Sequence, residues 1–301
     1  MRKIAILVRR EFWEHKNTFL ILPAVITGFV LLLMLLGLFY ESASMSFTIE
    51  TDVNGSRELL SVNAENGGNW AHVAIRELLA IPGEMRTSYI ELGFEGITAL
   101  LSLILWIVIV SYLLGALYRD RIDRSILFWK SLPVSDTLTV LTKLLTAIFI
   151  VPFCYFSAVA ALQFGWMILI SCVAMDLDIS AWDEVWIHAP FASHWFRSIV
   201  LLVFNGLWTL PLLGWLLAVS AFAKGTPLIS ALAFPSAVIV VEMLFTDQAR
   251  IRDWIAAHSI PITNFDVASS NLISGQTLSA ILVGSIFVCA AIFLRSRAGE
   301  F

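Results

Sequence analysis

The residues able to do chemistry are few and scattered. Asp183, Glu184, His188 and His194 fall within twelve residues, and Glu184 and His188 stand at i, i+4, the spacing that puts two ligands on one helix face. Such a set suits a metal ion or a carboxylate–histidine acid–base pair. The competing reading, an interfacial loop with solvated polar groups, is the preferred one. Glu242, in Val240-Val241-Glu242-Met243, is the one acid well inside an apolar run. Burying its charge near a bilayer centre costs about 2.5–3.5 kcal/mol even on the lenient insertion scale. Gln163 and Asn205 also interrupt apolar runs and must face protein or a cavity. Glu242, Gln163 and Asn205 are therefore the substrate-pathway candidates, against the alternative of local helix-to-helix hydrogen bonding. The sequence has no G-x-x-x-x-G-K-[ST], no H-E-x-x-H and no G-x-S-x-G, so no catalytic motif and no P-loop nucleotide site is expected. Cys154, Cys172 and Cys289 lie in or at the end of apolar runs and read as small buried hydrophobes, with neither disulfide nor metal spacing.

The elements that must position these residues are membrane spans. With 301 residues, 59% of them apolar and 14% charged, and a mean hydropathy of +0.85, the chain has too little polar surface for a soluble protein of its size. Six spans are expected, at 18–40, 97–118, 141–174, 199–222, 227–245 and 278–294, within a single domain, 1–301. The first could be mistaken for a signal peptide with a weak cleavage site at Ser42-Ala43-Ser44, but it is too long for a signal core. With the N-terminus placed in the cytoplasm, 13 of the 19 Lys and Arg residues fall inside and 6 outside, so both termini are expected to be cytoplasmic. Segment 41–96 is then a long external segment, with a short surface helix expected at His72 to Leu79. A second external segment carries Trp182, Trp186 and Trp195, residues that favour the membrane interface. A third has helical character from Ala249 to His258. There is no internal repeat of the kind an inverted-repeat transporter would show.

Two cytoplasmic segments carry more information. In 1–17, Ile4, Val8 and Phe12 form one helical stripe, and Arg2, Arg9 and Lys16 a neighbouring one. This reads as an amphipathic helix lying on the inner leaflet, with its cations toward anionic lipid headgroups. Segment 119–140 opens on alternating charge, from Arg119 to Arg124. It continues through Ile126, Leu127, Phe128 and Trp129 and breaks at Pro133, and Ser135 and Asp136 signal the next helix start. Charge beside aromatic anchors suits a protein-docking element, with Arg121, Asp123, Arg124, Ile126, Leu127, Phe128 and Trp129 as the contact residues. The alternative is that the aromatics dip into the membrane interface.

The run from Asp123 to Asp136, DRSILFWKSLPVSD, resembles the loop between the second and third helices of bacterial ABC-2 type transporter permeases. Leu210-Pro211, followed by Ser220-Ala221-Phe222-Ala223-Lys224 and Pro227, is similar to that family's junction of fourth and fifth helices. The basic lead resembles its elbow helix. The resemblance covers nearly the whole chain, although the long first external segment departs from it. It implies an all-α membrane protein in the bacterial cytoplasmic (inner) membrane, acting as half of an exporter. Two permease subunits, identical or paralogous, would pair with two copies of an ABC ATPase, with 119–140 as the coupling segment. ATP and Mg would then be bound by the ATPase. No cofactor on this chain and no nucleic-acid partner are expected. An ion-coupled secondary transporter acting alone, and a membrane enzyme using the external His and carboxylate cluster, are the competing classes.

The topology has a direct check. In a chain stripped of its three cysteines, a single cysteine at Ser131 is expected to label only from the cytoplasm, and cysteines at Asn66 and Ser180 only from outside. Labelling of position 131 from outside would reverse the orientation.

Overall fold

The computed structural model describes residues 2–39, 45–53, 56–64, 70–123, 134–246 and 249–297. Six helices among them are long and apolar enough to cross a membrane: Asn17–Phe39, Met85–Ile122, Asp136–Asp176, Trp182–Trp208, Pro227–Phe245 and Gly275–Arg297. The protein is an all-α polytopic membrane protein. Its helices are α1 (Arg2–Glu14), α2 (Leu22–Phe39), α3 (Trp70–Ala80), α4 (Gly83–Ala116), α5 (Tyr118–Ile122), α6 (Asp136–Leu145), α7 (Val151–Asp176), α8 (Phe191–Trp208), α9 (Leu210–Phe222), α10 (Pro227–Phe245), α11 (Arg250–Ser259), α12 (Phe265–Asn271) and α13 (Gly275–Arg297).

Two differences from the sequence reading have clear physical causes. The run expected as one span at 199–222 divides at Thr209 into α8 and α9. Pro211 has no N–H for the Leu207 carbonyl, and its ring crowds that carbonyl, so the helix breaks there. The Thr209 hydroxyl turns back to the Asn205 carbonyl at 2.7 Å. The segment 41–96, expected as an external helix and loop, also holds an antiparallel hairpin, β1 (Met45–Val53) with β2 (Ser56–Ala64), in register from Met45 opposite Ala64 to Val53 opposite Ser56. Its signal is in the sequence: Met45, Phe47, Ile49 and Val53 keep a period of two, and Asn54-Gly55 separates the strands.

The chain forms two compact units. One comprises Asn17–Ile104 and Cys154–Phe196. Its core is a stripe on α4, Ile90, Phe94, Ile97 and Leu101, meeting Val159, Leu162, Met167, Ile170 and Ala174 of α7. The spacing of four, three and four residues on α4 keeps one face inward over three turns. Buried Arg86 staples this unit together. Its guanidinium donates to the carbonyls of Leu79 and Ile81 at 2.8 Å each and to the Glu184 carbonyl at 2.8 Å, and it pairs with the Glu184 carboxylate.

The other unit comprises Met1–Lys16, Leu105–Phe153 and Arg197–Phe301. Its centre is α9, buried along nearly its whole length from Leu210 to Ala221. Against α9 lies the α13 stripe of Ala280, Gly284, Val288, Ala291 and Arg295. The two helices approach so closely that a methyl group on Gly214 would stand 2.8 Å from the Gly284 carbonyl oxygen. One on Gly284 would stand 2.8 Å from the Leu210 backbone. Small residues at such a crossing let backbones pack directly, the main source of helix association inside a bilayer.

Gly284→Val is therefore expected to lower folded yield and detergent melting temperature, because overpacking costs roughly 1–3 kcal/mol. Gly28→Val, where an added methyl group meets nothing within 4 Å, serves as the neutral control. Equal behaviour of the two variants would refute the close crossing.

Candidate functional site

A network of charged side chains, not singled out in the sequence, is built on buried Glu11, Lys143 and Arg295, with Asp120 and Asp136 partly exposed. α1 turns Glu11 inward, and this is the most buried residue described on that helix, at 4% exposure. The Lys143 ammonium, from α6, donates to the two Glu11 carboxylate oxygens at 3.1 and 3.3 Å. The Tyr112 hydroxyl, from α4, donates to the same carboxylate at 3.0 Å. Lys143 also stands 3.9 Å from Asp120 of α5. Asp120 accepts from Arg295 Nη1 at 3.0 Å, and Arg295 Nε donates to Asp136 at 3.1 Å. Arg295 is 2% exposed and Lys143 4%. The path Tyr112–Glu11–Lys143–Asp120–Arg295–Asp136 thus joins five helices of one unit through ion pairs and hydrogen bonds.

Local sequence explains why each group is where it is. Leu117 separates α4 from α5, and its N–H and that of Tyr118 face α9. The Ser220 hydroxyl oxygen on α9 accepts both, at 2.8 and 2.9 Å. Arg121 then donates to the Ser220 and Ala223 carbonyls at 3.0 and 2.8 Å, covering the C-terminal end of α9 with a cation, the favourable sign there. The Ser135 side chain caps α6 by accepting the Leu138 N–H, as its sequence position implies.

The electrostatics follow from burial and pairing. Burial pushes the Glu11 carboxyl up, but the Lys143 charge, its hydrogen bond and the Tyr112 hydroxyl outweigh that, leaving Glu11 below its ordinary 4.5. Burial holds the His15 imidazole below its ordinary 6.5, against the opposing pull of Glu11 and Glu14. In both cases the folded chain binds fewer protons than the unfolded one. Each group therefore adds stability in full above its ordinary value, and that stability is lost as pH falls through the lower folded value.

The residues named from sequence meet different fates. Arg121, expected to face a partner, is engaged by α9 of its own chain. Asp123 is exposed at the end of α5. Arg124, Ile126, Leu127, Phe128 and Trp129 lie outside the described residues. Gln163 is fully buried. Its Nε2 reaches the Phe94 carbonyl, Thr98 and His194 at 3.1–3.3 Å, and its Oε1 accepts from Trp195 at 2.8 Å. Asn205 pairs with both backbone groups of Ile262, at 2.9 and 2.8 Å. The Glu242 carboxylate accepts the N–H groups of Ile251 and Arg252, at 2.6 and 2.9 Å, and so caps α11 from a neighbouring helix. All three pathway candidates are thus held by local hydrogen bonds. The acids and histidines of 183–194 diverge: Asp183 accepts from Ser180, Glu184 pairs with Arg86, His188 lies beside Thr87 and His194 beside Thr98. Among the described residues no three His, Cys, Asp or Glu side chains converge as a metal site would require.

The charge path predicts a double-mutant cycle. Lys143→Met leaves Glu11 buried beside Tyr112 without its cation, and is expected to cost about 3–5 kcal/mol of stability. Adding Glu11→Leu should recover a large part, so the two changes are far from additive when melting is followed in detergent. Glu11→Leu alone should also flatten the loss of stability on acidification. Strict additivity would show that the two groups act independently.

No protein-family profile, no curated protein and no solved structure matches the chain.

Proposed function

We propose that the chain is the permease subunit of an ATP-driven exporter of the ABC-2 type. It sits in a bacterial cytoplasmic membrane, forms half of a translocation pathway with a second permease subunit, and draws energy from a separate ATPase. The observation that carries this reading is the segment from Arg119 to Lys143. Its sequence resembles the family's coupling loop, and its two roots, α5 and the start of α6, are held by ion pairs to the buried cations Lys143 and Arg295. A loop that receives force from a partner must be rooted this way, because a loosely attached one would dissipate the displacement in local bending.

The division of labour follows from the sequence. The chain carries no nucleotide motif, so ATP and Mg belong to the ATPase, and closure of that partner supplies the motion. The apolar and aromatic run Ile126, Leu127, Phe128 and Trp129 is the contact this reading assigns to the ATPase, flanked by Asp123 and Arg124. Arg121 supports that contact from behind by fixing α5 to α9. The local bonding of Glu242, Gln163 and Asn205 supports an architectural role for them. Cargo selection then rests with the apolar walls of the spans or with the second subunit.

The test is co-purification. The chain, extracted in mild detergent, should bring down an ATP-hydrolysing subunit in equal number. Replacing Phe128 and Trp129 together with Ala should lower that association at least about tenfold while membrane insertion is unchanged, since an aromatic anchor is commonly worth 2 kcal/mol or more, roughly thirtyfold. Undiminished association and transport in that variant would defeat the docking assignment. Transport by the purified chain alone, driven by an ion gradient, would defeat the permease reading.

A further inference from the structure

Arg295 stands at the end of the last span, where a positive-inside flank would account for a basic residue but not for its burial. The side chain is used twice, by different atoms. Nη1 holds Asp120, before the cytoplasmic loop, and Nε holds Asp136, after it. One rigid planar guanidinium therefore closes the base of segment 119–140. Only Arg has the geometry to serve two carboxylates at once from fixed directions; a lysine ammonium is a point charge on a flexible stem.

The same helix is fixed along its length to α9. Ala280, Gly284, Val288 and Ala291 lie on the buried stripe that ends at Arg295, and Gly284 touches the backbone of Leu210. The far end of α9 in turn holds α5, through the Ser220 hydroxyl and the two carbonyls that receive Arg121. The connections form a closed frame: α13 to α5 through Arg295, α5 to α9 through Arg121 and Ser220, and α9 back to α13 through Gly214 and Gly284. Such a frame resists shear, so a displacement applied at the loop cannot be taken up by α5 and α6 alone.

We infer that Arg295 is a positioning residue that clasps the two roots of the 119–140 loop to the last membrane span, so that a displacement of the loop is delivered to α13 and through it to α9. This rests on the permease reading, in which the loop receives the force. It extends that reading by adding the last span to the transmission, beyond the second and third spans that are covalently continuous with the loop.

The experiment has two arms, both on the full chain. In the first, the three native cysteines are replaced and spin labels are placed at Arg119 and Thr137, exposed positions on either side of the loop. The distance distribution between them should be narrow in the wild type and broad in Arg295→Gln. Arg295→Lys, which keeps the charge but not the two-pronged grip, should also broaden it, and gives a folded variant should the Gln form fail. An unchanged, narrow distribution in Arg295→Lys would overturn the clasp. In the second arm, the complex with its ATPase is reconstituted and cargo moved per ATP hydrolysed is measured. Arg295→Lys should bind the ATPase and hydrolyse ATP normally but transport about two- to thirtyfold less per ATP, the range given by coupling energies of 0.5–2 kcal/mol. A broadened distance with an unchanged transport-to-ATP ratio would overturn the transmission role. If no ATPase associates with the wild type, the permease reading and the transmission role fail together, and the distance arm still decides whether the clasp exists.

Discussion

Lys143 and Arg295 are buried cations, and neither can remain so without the acids around it. An unpaired ion taken out of water costs several kcal/mol, more than half the net stability of many domains. The requirement for partners therefore fixes much else. Glu11 must face inward, which sets the rotation of α1. Asp120 must lie between two cations, which sets where the chain bends after α4. Asp136 must reach back to Arg295, which sets the starting point of α6. Removing Lys143 leaves Glu11 buried without its cation, and removing Arg295 takes a partner from both Asp120 and Asp136, so these groups are coupled and are not separate surface ion pairs, which are commonly worth less than 1 kcal/mol.

This network sits beside a second device of a different kind. Between α9 and α13 the contact is apolar, with Gly214 and Gly284 against backbone and against the side chains of Leu210, Phe287 and Val288. In a bilayer, apolar side chains gain little by leaving lipid for protein, so close backbone packing and hydrogen bonds carry association. The molecule uses packing where lipid surrounds the helices and ion pairs where the helices end. The hydrogen bonds of Gln163, Asn205 and Glu242 follow the same logic, since each polar group set in an apolar helix finds a partner within reach. Glu242 illustrates it best. A carboxylate that looks like a cargo site in the sequence supplies the start of α11 with the two acceptors its N-terminal N–H groups lack.

Much of the fold was legible in the chain. Long uncharged runs gave the membrane class and the approximate spans, because only continuous apolar sequence can sit in hydrocarbon. Ser135 marked a helix start that it does cap, and the helical character of 72–79 and 249–258 corresponds to α3 and α11. The hairpin was equally legible, in its period of two and its Asn-Gly pair, but its nine-residue strands are too short and too polar to register in a hydropathy profile. The break at Pro211 was visible as a residue and missed as a consequence, since an uninterrupted hydropathy profile does not register a lost N–H.

The amino-acid sequence by itself determined that this is a membrane protein, how many spans it has, and where charged and aromatic residues interrupt the apolar runs. These follow from local properties: hydropathy, length and the residue types that stop helices. Only the tertiary structure decided which charges are paired. Glu11 and Lys143 are 132 residues apart, and Arg295 and Asp120 are 175 apart. In sequence, Lys143 and Arg295 look like ordinary cytoplasmic flanking cations, and Glu11 looks like a solvated residue on an amphipathic helix. Burial is a property of what surrounds a side chain. The groups that surround these come from helices whose neighbours are chosen by long-range packing, and no window along the chain contains that information.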